Sequence, residues 1–243
     1  MRLPIFPLAL GLLPVAAGCL ANPLGTRRPT EGPAVPVTAT NAAQQTAAMA
    51  AITKMGGKVG VDPKLPGNPV VSVDLHGARV TDAGLEVLRP LTKVGALNLY
   101  NTRISDAGLD NIVGLSGLHT LNLSATRITD AGLARLQGLP GLCALYLNDT
   151  PVTDAGLSHL RGLSNLRDLA LFHTGVTDAG LAQLRSLKHL QKLTLGGSAI
   201  TDAGLANLRG LRELGYLELF DTRVTDAGAR ELRTAQPKLK IVH

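Results

Sequence analysis

Aromatic side chains are almost missing. Three tyrosines, three phenylalanines and no tryptophan make up 2% of 243 residues, although 45% of the chain is hydrophobic. A compact globule fills irregular space with bulky rings, so a ring-poor chain dominated by Leu and Gly points to stacked layers of one repeated shape. Cysteine is equally scarce. Cys19 and Cys143 give no disulfide framework, which leaves the core alone to hold the fold. Long apolar runs are also missing: residues 3–18 come nearest, but Pro4, Pro7 and Pro14 interrupt them, so they are too short and broken for a stable membrane-spanning helix. Finally, the chain carries no H-E-x-x-H, no G-x-S-x-G and no Gly-rich phosphate cradle. Enzyme chemistry of those types is excluded.

What is there begins with an export signal. Met1-Arg2 is a short positive start, an apolar run follows, and Cys19 closes it. The segment Val15-Ala16-Ala17-Gly18-Cys19 resembles a bacterial lipobox, with Ala16 where Leu is commoner. That resemblance implies lipidation of Cys19 and a membrane anchor; simple secretion and an uncleaved anchor are the alternatives. Residues 20–40, with Pro23, Pro29, Pro33 and Pro36 among small residues, are expected to form a flexible tether.

Beyond the tether the sequence repeats. Asp82, Asp106, Asp130, Asp154, Asp178, Asp202 and Asp226 stand 24 residues apart, and a glycine follows each two residues later. Seven such units run from residue 70 to about 235. In one of them, Leu121 and Leu123 alternate with polar residues, so they point inward from a short strand while Thr120, Asn122 and Ser124 face out. Thr129 then caps a short helix, Asp130 puts negative charge at its start, and Leu133 and Leu136 form its inward stripe. One unit cannot bury its apolar face alone, whereas a stack of them makes a continuous core. Residues 41–69 read as an N-terminal helix and strand cap, and residues 236–243 as a closing strand.

The L-x-x-L-x-L pattern followed by Thr resembles the leucine-rich repeat. The recurring T-D-A-G-L phrase is similar to bacterial arrays related to the repeat arms of F-box proteins and ribonuclease inhibitor. The resemblance covers about 70% of the chain and implies an α/β, right-handed solenoid with a parallel concave sheet and short convex helices.

Most in-register columns have structural explanations. The aspartates are expected to cap helices, because each unit offers one carboxylate and calcium wants six to eight oxygens. The glycines let helix starts approach. Thr102, Thr126, Thr150, Thr174, Ser198 and Thr222 satisfy turn backbone groups. The net charge is +6, but Arg89, Arg161, Arg185, Arg209 and Arg233 fall at helix ends, where they complement the dipole and remain solvated. Arg79, Arg103, Arg127 and Arg223 line the edge where the strands end. No rings interleave with them, so a nucleic-acid partner is not expected.

The outward strand positions carry no such duty, and all five rings after the signal segment fall there: Tyr100, Tyr146, Phe172, Tyr216 and Phe220. Exposed Tyr and Phe are favoured interface anchors. Adding 24 gives the lateral neighbours. Asp168, Lys192 and Tyr216 share a row, so Asp168 and Lys192 are expected to pair, while Phe172, Gly196 and Phe220 form a notch about 10 Å wide. Asp149, Glu218 and Asp221 surround it. These ten residues are the candidate site for a protein partner with a basic or amphipathic protuberance; a self-associating spacer and a polysaccharide-binding module are the alternatives. Asp149 and Asp221 lie three units apart, about 14 Å, too far for a glycosidase pair. No catalysis, cofactor, metal or small-molecule substrate is expected.

Overall fold

The computed structural model describes residues 39–243; the expected signal segment, Cys19 and residues 20–38 of the tether lie outside the described residues. Helix α1 (Ala39–Lys54) is alanine-rich and presents Ala48, Ile52 and part of Met49 to the first repeat. Gly56, with φ of 87°, ends it in a conformation that costs glycine little.

Nine strands follow: β1 (Lys58–Val61), β2 (Val70–Asp74), β3 (Ala96–Asn98), β4 (Thr120–Asn122), β5 (Ala144–Tyr146), β6 (Asp168–Ala170), β7 (Lys192–Thr194), β8 (Tyr216–Glu218) and β9 (Lys240–Val242). They form one open sheet in chain order. β1 folds back antiparallel on β2, and every later pairing is parallel. The register advances by 24 residues at each step, from Ala96 through Thr120, Ala144, Asp168, Lys192 and Tyr216 to Lys240. The periodicity of the sequence is therefore the geometry of the sheet. Leu97, Leu121, Leu145, Leu169, Leu193 and Leu217 form a fully buried column behind it.

The opposite layer is tighter than a plain α-helix. In the first two units it is a 3-10 helix throughout (Ala83–Leu88 and Asp106–Asn111). Later units open with short α-helices, α2 (Asp130–Arg135), α3 (Asp154–Leu157), α4 (Asp178–Leu181) and α5 (Asp202–Leu205), and then tighten to 3-10. Only α6 (Asp226–Ala235) is longer. A 3-10 turn rises about 2.0 Å per residue against about 1.5 Å for an α-helix, so it crosses the layer with fewer residues.

Side-chain columns tie the repeats together. The hydroxyls of Thr102, Thr126, Thr150 and Thr174 donate to the carbonyls of Leu99, Leu123, Leu147 and Leu171, as the turn column requires. Contrary to expectation, the aspartates do not cap their own helices; from α2 on the preceding threonines do, and the carboxylates turn to the next repeat. Asp106 accepts the Thr129 amide on Oδ1 at 2.8 Å and the Thr129 hydroxyl on Oδ2 at 2.6 Å, so it fastens the next repeat. Asp82–Ser105, Asp130–Thr153, Asp154–Thr177, Asp178–Thr201 and Asp202–Thr225 repeat the arrangement. A Cβ on Gly132 would stand 2.3 Å from the Asp106 carboxylate. The glycine column thus leaves room for the carboxylate of the preceding repeat.

The helix-end arginines are likewise lateral ties and not simply solvated charges. Arg89, Arg161, Arg185 and Arg209 reach forward to Asn111, Gln183, Asn207 and Glu231, and Arg233 reaches the Ile241 carbonyl.

One position of the turn after each strand is left-handed: Asn101, Ala125, Asp149, His173 and Asp221 have φ between 52° and 55°. Asn and Asp tolerate this region, whereas it costs an ordinary L-residue about 1–2 kcal/mol. Ala125→Asn is expected to stabilise the fold by about 0.5–1 kcal/mol, read as a higher urea midpoint at unchanged m.

Candidate functional site

The ten candidate residues lie along the open face of the sheet, and the structure divides nine of them into two groups, with Tyr100 apart. One group, Tyr146, Asp168, Lys192 and Tyr216, is occupied with itself. The Tyr146 hydroxyl donates to Asp168 Oδ2 at 3.1 Å. Ala144, on the strand of Tyr146 and opposite Asp168, is fully buried. The expected Asp168–Lys192 ion pair does not form. Lys192 Nζ instead lies 5.7 Å from the centre of the Tyr216 ring, and Lys240 Nζ lies 5.9 Å from it on the next strand. Tyr216 is therefore flanked by two cations whose attraction to its ring face offsets its exposure. Lys240 was not among the candidates, although Tyr216 plus 24 names it.

Burial holds the Asp168 carboxyl above the ordinary carboxylate value, against the opposing pull of Lys192 and the Tyr146 hydroxyl. Its Oδ1 is buried and unpaired among the described residues. On the same face Thr120 takes its expected outward position but is fully buried. Its hydroxyl lies 3.1 Å from Nδ1 of His119, whose ring also fills the space over Gly95.

The second group lies where the strands end. Phe172 does not stand apart from Phe220 as one wall of a notch. A Cβ on Gly196 would fall 2.7 Å from the Phe172 ring and 2.4 Å from the Glu218 carboxylate, so both lie over that glycine and close the gap. Phe172 also packs on His173, ring centres 4.0 Å apart, and His173 Nδ1 is 3.2 Å from Asp149. Glu218 Oε1 accepts the Phe220 amide at 3.2 Å. Burial raises the Glu218 carboxyl above its usual range, and the neighbouring Asp221 adds to this. Asp149 and Asp221 occupy the left-handed turn position, so backbone conformation already favours their residue type. The result is a platform of Phe172, His173 and the half-exposed Phe220, rimmed by three carboxylates. Tyr100 lies apart, stacked on His76 with centres 5.8 Å apart.

A family model described as Leucine Rich repeat matches residues 186–208. Among solved structures, an internalin C2 from Listeria monocytogenes superposes with a TM-score of 0.57 at 24% identity, covering 80% of this chain and 92% of that one. The chain has the leucine-rich-repeat fold. A second internalin (inlF) of the same organism gives a TM-score of 0.52 at 20% identity over 72% of this chain; the alignment spans 54% of that neighbour. No curated protein sequence matches. With 448 solved chains matching, the architecture by itself does not select a partner.

Within the leucine-rich-repeat sheet, Asp168 gives a pH test. A carboxyl whose folded value is raised favours folding when neutral, so the penalty is present above the folded value and disappears as pH falls through it. That window lies above the ordinary 3.8. Asp168→Asn keeps an acceptor for Tyr146. It is expected to raise the thermal midpoint at about pH 7 and leave it unchanged at about pH 3.

Proposed function

We propose that this chain is an exported, membrane-anchored scaffold that binds a protein partner on the C-terminal part of its open sheet face, with Cys19 lipidated as the anchor. Phe220 carries the reading. It is 50% exposed, the one ring among the described large hydrophobic side chains left open to water, and it stands beside the Phe172–His173 pair. Glu218 and Asp221 flank it, and Asp149 lies on the far side against His173, on a protein of net charge +6. A ring anchor inside an acidic rim suits a partner that presents an apolar side chain flanked by Lys or Arg. Tyr146, Asp168, Lys192 and Tyr216 contribute a neighbouring surface whose side chains are held against one another.

The test is retention of a partner from envelope extract on immobilised protein. Phe220→Ala and the pair Glu218→Lys, Asp221→Lys are expected to lower affinity at least about tenfold, while Tyr216→Ala has a smaller effect. Equal affinity of the charge-reversed variant would sink the acidic-rim reading. Cys19→Ala is expected to release the chain from membranes, and continued sedimentation with them would sink the anchor.

A further inference from the structure

The arginines of this solenoid fall into two sets. Those of the helical layer are tied to the neighbouring repeat, as described above. Arg79, Arg103 and Arg127, which follow the ends of β2, β3 and β4, are exposed and have no side-chain partner among the described residues. They stand in successive repeats along one rim. The row stops there, since Pro151, Gly175 and Ala199 occupy the next three equivalent positions. The backbone holds it in line: the Arg127 amide donates to the Ile104 carbonyl at 3.0 Å, and Arg127 bridges to Ser105. Successive members therefore stand one repeat apart along the rim. The nearest column of carboxylates is turned to other donors. Both oxygens of Asp82, Asp106 and Asp130 are engaged by Ser105, Thr129 and Thr153, and none forms an ion pair with these arginines.

We infer that Arg79, Arg103 and Arg127 form a binding rim for a linear polysaccharide bearing carboxylates, a polyuronate. Charge complementarity selects an anion, and the guanidinium fork matches a carboxylate through two parallel hydrogen bonds. The row, one cation per repeat over three successive repeats, selects a linear polymer that carries charge on successive units. The adjacent row of the face adds neutral donors. Asn98 and Asn122 each use the side-chain oxygen to accept a backbone amide, from Tyr100 and Ser124, which leaves their NH2 groups for sugar hydroxyls. Such donors are superfluous for a purely electrostatic surface. Single-stranded nucleic acid would call for separated rings on which bases stack, whereas the rings here, His76 and Tyr100, stack on each other. A lipid surface would call for apolar side chains beside the arginines, and Asn101, Thr102, Gly77 and Ala78 occupy that place.

The test is titration of the full chain with an oligogalacturonate at about 0.1 M salt, where long-range attraction between exposed charges is screened. The wild type is expected to bind, and the triple variant Arg79→Ala, Arg103→Ala, Arg127→Ala to lose at least about tenfold in affinity with an unchanged thermal midpoint. The triple Arg→Lys variant, which keeps the charge and loses the fork, is expected to fall between them. The control pair Arg185→Ala, Arg209→Ala is expected to bind like the wild type. The proposal is overturned by absence of binding to the wild type, by equal loss in the control pair, or by equal or tighter binding of oligothymidylate or anionic vesicles through the same three arginines.

Discussion

Asp154→Ala is expected to destabilise the protein by about 2 kcal/mol, and Gly180→Ala, a change that ordinarily favours a helix, by at least as much. Asp154 accepts the Thr177 amide at 2.7 Å and the Thr177 hydroxyl at 2.6 Å, both in partly buried surroundings. Hydrogen bonds to a charged group contribute about 1.5–3 kcal/mol each, discounted here because the freed groups of Thr177 can still reach water. Gly180 lies in the next repeat, and its missing Cβ leaves the space through which the carboxylate passes: a methyl there would stand 2.2 Å from Asp154 Oδ1 and 3.0 Å from its carboxyl carbon. The added methyl of Gly180→Ala would therefore expel the carboxylate and break the same two hydrogen bonds. Once Asp154 is already replaced by alanine, nothing polar remains to be expelled. Gly180→Ala then returns to its ordinary behaviour, neutral or stabilising by up to about 1 kcal/mol. The four proteins of the double-mutant cycle, unfolded in urea, should thus show a coupling of about 2 kcal/mol or more, with the sign of the glycine effect reversed between backgrounds. Additive effects would separate the glycine column from the aspartate column and return the glycines to simple helix packing.

That coupling was only half legible in the sequence. The 24-residue period predicts the parallel register, since each strand residue pairs with the residue 24 later, and the alternation at Leu121 and Leu123 predicts which side chains are buried. The aspartate and glycine columns were equally visible. Their relation was not, because the Asp-to-Thr link spans 23 residues and a helical period suggests capping within one unit first. The candidate site was legible as a face and less so as a set of contacts. Strands about 4.8 Å apart put several partners within reach of one long side chain, and register alone does not choose among them. Asp168 thus takes the Tyr146 hydroxyl, and Lys192 lies against Tyr216. The Phe172 ring was free to lean over Gly196 because that neighbour has no side chain, which closed the expected notch. Asp149 and Asp221 had a further signal: Gly77, Asn101 and Gly197 hold the same turn position. Ala125 and His173 interrupt that column and conceal its preference for residues that tolerate positive φ.

Leu169→Ala is expected to have the largest effect of any single truncation considered, about 3–4 kcal/mol, within the range of about 2–5 kcal/mol for a buried leucine. Leu169 is fully buried in β6 and pairs with Leu145 on one side and Leu193 on the other. In a stacked array stability is close to a sum of repeat terms and nearest-neighbour interfaces, so a cavity at this point weakens two interfaces near the middle of the stack. The repeats before and after it then lose their reason to melt together, and the urea m-value should fall along with the midpoint. Ile241→Val provides the contrast. Ile241 lies in β9, pairs with Leu217 on one side, and is 6% exposed, so a loss of about 0.5–1.5 kcal/mol at unchanged m is expected. A full loss in Leu169→Ala at unchanged m would show instead that the array unfolds as one unit. Its lateral ties, from the Asp–Thr links to the arginine bridges, would then couple the repeats more strongly than one leucine-sized cavity can break.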